Sequence, residues 1–243
     1  MKCTTYTVRA DVPATFRIAV CSDLHNNPCE KAIAMIGEQS PDLIAVPGDV
    51  GEAPDETPQY SMQFLHDCAR IAPTVYSLGN HDMAFDDNPA TAARIRETGA
   101  ILLDDDDIFL CGMWIGGLTT GFRGQKHEGY FAQTPAPNLK WLDEVFCKRV
   151  GFKLLLSHHP EYYPAYLRER EISMVLSGHA HGGQWRIFGR GILAPGQGLF
   201  PRYTNGVHED RFVISRGMGD HTWVPRLFNP HEIVLLQLIP KEQ

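Results

Sequence analysis

Five short apolar runs in this chain each lead into residue types that bind metal ions, and this recurrence limits the available folds more than any other feature. FRIAVCS (Phe16–Ser22) leads into Asp23-Leu24-His25, LIAVP (Leu43–Pro47) into Gly48-Asp49, and TVYSL (Thr74–Leu78) into Gly79-Asn80-His81-Asp82. KLLLS (Lys153–Ser157) leads into His158-His159, and SMVLS (Ser173–Ser177) into Gly178-His179-Ala180-His181. Short apolar runs of this kind read as strands buried on both faces. Helical spacing appears between and around them: Pro28–Gln39 with Ala32, Met35 and Ile36 aligned, Met62–Ile71, Pro89–Thr98 closed by Gly99, and Asn138–Val150 with Leu139, Leu142, Val145 and Phe146 on one face. Strands alternating with helices predict an α/β sheet with parallel pairs. In an open sheet of that type the ligand site lies beyond the carboxyl ends of the strands, so these polar residues can converge although they span most of the chain. The glycines at 48, 79 and 178 let the backbone turn sharply and approach a ligand closely.

The remaining segments are less regular. Ile101–Leu103 and Ile108–Cys111 flank four consecutive acids, Asp104–Asp107. We expect a solvated hairpin turn there, because aspartate favours turns. From Gln184 onward Gly and Pro become frequent, and the apolar runs Gly191–Ala194, Arg211–Ser215 and Ile233–Leu238 are short. That texture predicts antiparallel strands and loops rather than further βα units.

Composition excludes several functions. The chain of 243 residues carries a formal net charge of −7 and no Lys/Arg-rich run, so strong nucleic-acid binding is not expected. A small anionic substrate stays open, since bound cations can dominate the charge of a site. Cys3, Cys21, Cys29, Cys68, Cys111 and Cys147 are scattered and form no CxxC pair, which argues against a zinc ribbon and predicts reduced thiols. The first residues lack a long apolar core, and no apolar stretch approaches the roughly 18 residues of a membrane span. The expectation is a soluble cytoplasmic protein without a membrane span; oligomeric state is not readable.

The polar residues have a chemistry of their own. Imidazole suits Zn, Fe, Ni or Cu, and carboxylate or amide oxygen suits Mn or Mg, so a mixed His/Asp/Asn set favours Mn²⁺, Fe or Zn²⁺ over Ca²⁺. An aspartate that uses both oxygens can bridge two ions roughly 3.5–4 Å apart. A lone DxH or HxH carries little weight, because a buried histidine is more often a hydrogen-bonded core residue than a ligand. The ordered set, always at strand ends, is the argument.

DLH at Asp23–His25, GDV at Gly48–Val50, GNHD at Gly79–Asp82, SHHP at Ser157–Pro160 and GHAH at Gly178–His181 resemble the ordered motifs of the calcineurin-like metallophosphoesterase superfamily. GHAHGGQWRIFG and SRGMGDHTWVPRLFNPHEIVLL are similar to one bacterial branch, the YkuE/YaeI-like phosphodiesterases. The resemblance implies a single metallophosphoesterase domain over residues 1–243, folded as a four-layer α-β-β-α sandwich of two mixed β-sheets flanked by helices, with the metals at one end between the sheets. Asp23, His25 and His181 would hold one metal, Asn80, His158 and His179 a second, and Asp49 would bridge. His158 is preferred to His159, because the family ligand precedes the proline by two residues. Glu52 stands where the family often carries an acid after its second motif. His81 would sit near the leaving oxygen as the catalytic residue, oriented by Asp82. The implied activity is dinuclear-metal-dependent hydrolysis of a small phosphoester by a metal-activated hydroxide, with diesters ahead of monoesters and Mn²⁺ ahead of Fe or Zn²⁺. Arg226 is a candidate substrate-phosphate ligand, weighed against a structural ion pair. Trp185 and Trp223 are expected in the core, and His127 and His221 on the surface. The competing functions are a metal-dependent hydrolase of another bond, disfavoured by GNHD and by a chain shorter than a typical (β/α)₈ barrel, and a non-catalytic scaffold, which would be expected to have lost ligands.

Overall fold

The computed structural model describes residues 1–52, 59–85, 89–123, 131, 133–220 and 225–241. Twelve strands form two six-stranded sheets. In chain order they are β1 (Lys2–Ala10), β2 (Phe16–Val20), β3 (Leu43–Pro47), β4 (Thr74–Ser77), β5 (Ile101–Leu103), β6 (Asp106–Leu110), β7 (Met113–Leu118), β8 (Lys153–Ser157), β9 (Met174–Ser177), β10 (Gly206–His208), β11 (Phe212–Ile214) and β12 (Glu232–Pro240). The first sheet runs β1-β12-β2-β3-β4-β5 and the second β10-β11-β9-β8-β7-β6. Strands β2 to β5 pair parallel, with α1 (Glu30–Gln39), α2 (Gln59–Ile71) and α3 (Pro89–Glu97) as the connections. In the second sheet β7, β8, β9 and β11 are parallel and the two outer strands antiparallel.

Alternation along the strands builds the layers. Successive side chains of a strand point to opposite faces. Ile18 and Val20 of β2 and Leu43 and Ala45 of β3 meet Leu154 and Leu156 of β8 and Met174 and Leu176 of β9 in a core between the sheets. Ala19, Ile44 and Val46 point the other way, onto Ala32 and Ile36 of α1 and Phe64 and Leu65 of α2. Leu155 and Val175 pack on the outer face of the second sheet with Phe146, Tyr162 and Tyr163, and with Leu142 of α4 (Leu139–Glu144). Four layers result, helices outside and sheets inside, as the resemblance implied. Leu156 is fully buried in the middle layer; truncating such a residue to alanine costs about 2–5 kcal/mol.

Three expectations are corrected. The acids Asp104–Asp107 are not a hairpin turn: β5 lies in the first sheet and β6 in the second, so the run crosses between sheets, and Asp106 and Asp107 belong to β6. Its carboxylates are engaged, Asp104 and Asp105 with Arg123 and Asp107 with Arg149. The predicted helix over 138–150 stops at Glu144 and continues as a 3-10 turn, Phe146–Lys148. The C-terminal strands are not simply antiparallel: β12 pairs antiparallel with β2 but parallel with β1, and β11 is parallel to β9. Strand β7 carries Gly116-Gly117, a dipeptide that reads as a turn. A Cβ on Gly116 would lie 2.6 Å from the Phe146 ring, and one on Gly117 2.4 Å from the Leu103 carbonyl. Both glycines sit where neighbours press on the strand from either face.

Candidate metal centre

The parallel strands of both sheets end at one edge of the sandwich, and the predicted ligands follow from those ends. The loops are tied to one another by backbone bonds. Asp23 N–H donates to Gly48 O (3.1 Å), Gly178 N–H to His158 O (3.1 Å), and His179 N–H to the Asp23 carboxylate (2.9 Å). His158 Nδ1 lies 2.8 Å from Pro47 O and so joins the ends of β3 and β8 across the two sheets.

The backbone is strained where the ligands sit. Asp23 (φ 54°), His25 (49°), Asp49 (53°), His179 (63°) and His181 (45°) all adopt the left-handed region. An L-residue there costs roughly 1–2 kcal/mol, and such outliers cluster at functional sites. Space is equally tight. A Cβ on Gly79 would stand 2.2 Å from Asp49 Oδ1, and one on Gly178 2.4 Å from Asp23 Oδ2. Only glycine permits these approaches.

The donor atoms gather in overlapping groups. Asp23, His25 and His181 offer three atoms all within 4.8 Å of one another, and so do Asp49, His158 and His179. Asp49 also joins His25 and His81 in a third such group, which puts its carboxylate between the first two. Asn80 is adjacent in sequence to His81, whose N–H donates to Asp49 Oδ1 (2.9 Å). Asp23 Oδ2 and Asn80 Oδ1 are buried without a hydrogen-bond partner, and Asp49 Oδ2 and His158 Nε2 are buried facing each other at 2.9 Å. Leaving such atoms unsatisfied costs about 1–3 kcal/mol each. All four are lone-pair donors on predicted ligands, so the residues present fit divalent cations.

The surroundings hold these groups in place. Glu52 bridges two rings, with Oε2 2.7 Å from His25 Nδ1 and Oε1 2.9 Å from His81 Nδ1. Burial would raise the Glu52 carboxyl, but the two imidazole hydrogen bonds outweigh it and hold it at about 2. Burial would lower His81, yet the carboxylates of Asp49 and Glu52 push it up to about 9. His158 shows the same competition, burial against the Asp49 carboxylate 2.9 Å away, and is pushed up to about 10.

Asp82 does not orient His81 as expected. Its carboxylate accepts backbone N–H bonds from Asp49 (2.6 Å), Gly79 (2.8 Å) and Gly51 (3.0 Å), clamping the two ligand loops together. Burial first, and then the Asp49 charge, raise its carboxyl to about 6.

His159 is turned away from Asp49. Its Nε2 lies 2.7 Å from Thr120 Oγ1, and its ring centroid 4.2 Å from that of His179. Glu161, which no motif singles out, stands beside both, 3.4 Å from His159 Nδ1 and 3.9 Å from His179 Nε2. Its only signal was its place just after SHHP.

The guanidinium of Arg226 is committed internally, to Asp220 Oδ1 (2.9 Å), Arg216 O (2.7 Å), Gly219 O (2.7 Å) and His181 Nδ1 (3.0 Å). Trp185, expected in the core, is 44% exposed. Trp223, His127 and His221 lie outside the described residues.

Two sheets closed over a cluster of Asp, Asn and His at their strand ends define a metallophosphoesterase architecture. Residues 16–183 match the family model for calcineurin-like phosphoesterases, and the chain belongs to that family. It is 30% identical over 226 residues to an uncharacterised metallophosphoesterase of Campylobacter jejuni, covering 90% of this chain and 56% of that protein. It is 25% identical over 214 residues to an uncharacterised metallophosphoesterase of Helicobacter pylori, covering 86% and 54%. The chain thus spans about half the length of these curated relatives. Among solved structures it is similar in fold to a putative 5'-nucleotidase of Staphylococcus aureus (TM-score 0.54, 14% identity, 94% of this chain and 55% of that one). A Thermus thermophilus protein is also similar in fold (TM-score 0.50, 16% identity, 68% of this chain and 81% of that one).

Proposed function

We propose that this chain is a two-metal phosphodiesterase that hydrolyses a small phosphoester without a covalent enzyme intermediate. The observation that supports it is the position of Asp49 in donor groups on both sides, with its buried carboxylate facing His158 Nε2 at 2.9 Å. Asp23, His25 and His181 would hold one ion, Asn80, His158 and His179 the other, and Asp49 both. The mixed oxygen and nitrogen set favours Mn²⁺, with Fe or Zn²⁺ acceptable. When bound, such ions lower the pKa of water to near neutrality and neutralise phosphoryl oxygens.

The chain's own groups do the rest. Glu52 fixes the His81 ring through Nδ1, so that Nε2 is the edge that delivers a proton to the leaving oxygen. Asp49 and Glu52 favour the charged ring, which suits that role. Asp82 holds the loops of Asp49 and Asn80 at fixed separation through three backbone N–H groups. We assign Arg226 to positioning His181 rather than to the candidate substrate contact, because its guanidinium makes four bonds to internal partners.

The test is hydrolysis of bis-p-nitrophenyl phosphate against p-nitrophenyl phosphate by metal-stripped protein reloaded with Mn²⁺, with bound metal counted in parallel. Asp49→Ala should abolish metal-dependent diester turnover, by about a thousandfold or more, and lower the metal count. Turnover of the monoester alone would replace the diesterase reading with a phosphomonoesterase one. No turnover and no metal binding would favour the scaffold.

A further inference from the structure

The exposed aromatic surface stands apart from the metal centre in chemistry, though it is rooted in it. Immediately after His181, the segment 184–200 forms a ribbon. Arg186–Ile187 pairs with Arg190–Gly191, and Leu193–Ala194 with Gly198–Leu199. Backbone bonds stitch these pieces together: Ile192 N–H to Trp185 O (2.9 Å), Phe200 N–H to Ile192 O (2.8 Å), and Arg186 N–H to Leu227 O (3.0 Å). Asn229 Nδ2 anchors the cap to His181 O (2.7 Å) and Gln184 O (3.1 Å).

This cap turns its apolar residues outward. Phe188 is 102% exposed, Phe228 80% and Phe200 76%, and Ile187, Leu199 and Leu227 are each about half exposed. Soluble monomers seldom gather so much apolar surface in one place without a partner for it. The three phenylalanines also share a backbone state. Phe188 (φ 49°), Phe200 (54°) and Phe228 (53°) are all left-handed. Asn or Gly would occupy such turn tips at lower cost, so the fold spends strain to hold bare rings at protruding turns. Trp185, half-exposed between them, donates its Nε1–H to Pro225 O (3.0 Å).

Charge says what the rings meet. The chain has a formal net charge of −7, yet residues 184–202 and 225–229 contain Arg186, Arg190, Arg202 and Arg226 and no Asp or Glu, the next acids along the chain being Glu209 and Asp210. Arg186 is buried and bonds to Gly182 O and Thr204 Oγ1, whereas Arg190 and Arg202 are exposed. A second copy docked through the same face would set arginine against arginine across a two-fold axis. Protruding tips also suit a deformable apolar medium better than a rigid pocket. An anionic bilayer answers both features: headgroups pair with arginine, and aromatic rings sink to the acyl boundary.

We propose that the cap formed by residues 184–202 and 225–229 is a peripheral docking surface for an anionic phospholipid bilayer, set beside the metal centre through its anchors on His181. It is independent of which phosphoester is cut. The test is flotation of the full chain with vesicles of phosphatidylcholine alone and of phosphatidylcholine containing about 30 mol % phosphatidylglycerol, with metal-dependent hydrolysis not used as the readout. The expected result is salt-sensitive binding to the anionic vesicles and weak binding to the neutral ones. Phe188→Ser and Phe228→Ser should each weaken partitioning about tenfold, and Arg190→Gln and Arg202→Gln about fivefold each on anionic vesicles only. Thermal melts matching the parent exclude misfolding as the cause, and Phe200→Ser gives an independent ring if one variant melts early. Absence of binding to either vesicle overturns the proposal. So does binding that all three ring variants retain in full, or a lipid-free dimer in sedimentation velocity that Phe188→Ser dissolves.

Discussion

Two regions of this molecule place non-glycine residues in the left-handed backbone region, to opposite ends. At the strand-end loops the strained residues are Asp23, His25, Asp49, His179 and His181, all buried and polar. On the cap they are Phe188, Phe200 and Phe228, exposed and apolar, with the buried Gln184 (φ 51°) at its root beside His181. In each place the side chain is the opposite of what its surroundings would select. Buried carboxylates and imidazoles have a cost unless something satisfies them, and exposed rings gain nothing from the fold itself. Strain combined with a mismatched environment is what residues kept for something outside the polypeptide would show, the proposed cations in one region and the proposed apolar surface in the other. Backbone strain alone does not: Ser40 (φ 46°) is also left-handed, as the C-terminal cap of α1.

The sharpest way to break the comparison is to deny the loops their space. In Gly79→Ala the new Cβ would sit 2.2 Å from Asp49 Oδ1 and 2.9 Å from the Asp49 backbone nitrogen. Backbone cannot yield as a flexible side-chain tip can. The loop must shift, at a cost typical of overpacking, about 1–3 kcal/mol, and Asp49 must leave its place. The expected outcome is a large loss of metal affinity, about a hundredfold, measured by competition with a chelating dye. Gly112, also at positive φ (78°), has nothing within 4 Å of a Cβ. Alanine there should leave metal affinity at the parent value. Equal effects at 79 and 112 would mean that crowding is not what fixes Asp49.

How much of this was legible in the sequence differs between the same two regions. The five strand ends were readable because each couples a buried or mostly buried apolar run to a polar residue, a pattern visible in the sequence itself. The layered sandwich came from the resemblance; β1 shows why periodicity could not supply it. Its sequence KCTTYTVRA is a mostly polar edge, with only Val8 and Ala10 buried. Strand β7 was hidden by Gly116-Gly117, whose reason is the Phe146 ring and the Leu103 carbonyl, neither close in sequence. Asp82 was assigned to the wrong neighbour because adjacency to His81 suggested contact, whereas its carboxylate points at three backbone amides of the loops. The cap was least legible. An exposed phenylalanine and a core phenylalanine are the same letter, and only the turn geometry separates them.

The next prediction concerns Glu52, the carboxylate that joins the His25 and His81 rings. Glu52→Gln keeps the shape and removes the charge. His81 is raised to about 9 in the folded chain against an ordinary value of about 6.5. Its charged form therefore contributes stability that is fully present below about pH 6.5 and is lost as pH rises through about 9. Glu52, held at about 2, contributes above its ordinary carboxylate range and loses that contribution as pH falls toward 2. In metal-stripped protein, NMR titration should show the His81 ring titrating near 9 and dropping in Glu52→Gln, although Asp49 still raises it. Diester turnover of the reloaded variant should fall about tenfold to a hundredfold, as for other residues that orient a site through a neighbour. An unchanged His81 titration would mean that Asp49 alone sets the charge of that ring.

The smallest effect expected lies on the cap, and it has the opposite sign. Phe188 has almost no contact to lose, since its side chain is 102% exposed, and its φ of 49° is a state that glycine enters freely. Phe188→Gly relieves roughly 1 kcal/mol of left-handed strain and gives part of it back as chain entropy in the unfolded state. The net expectation is a melting temperature equal to the parent's or about 1–3 °C higher, read by calorimetry without lipid. At Asp49 the same relief would be worthless under the proposed function, in which the side chain there answers a cation. A clear loss of stability in Phe188→Gly would show that the ring packs on its own chain after all. The parallel between the two strained regions would then end, because the strain at 188 would be offset from within the fold.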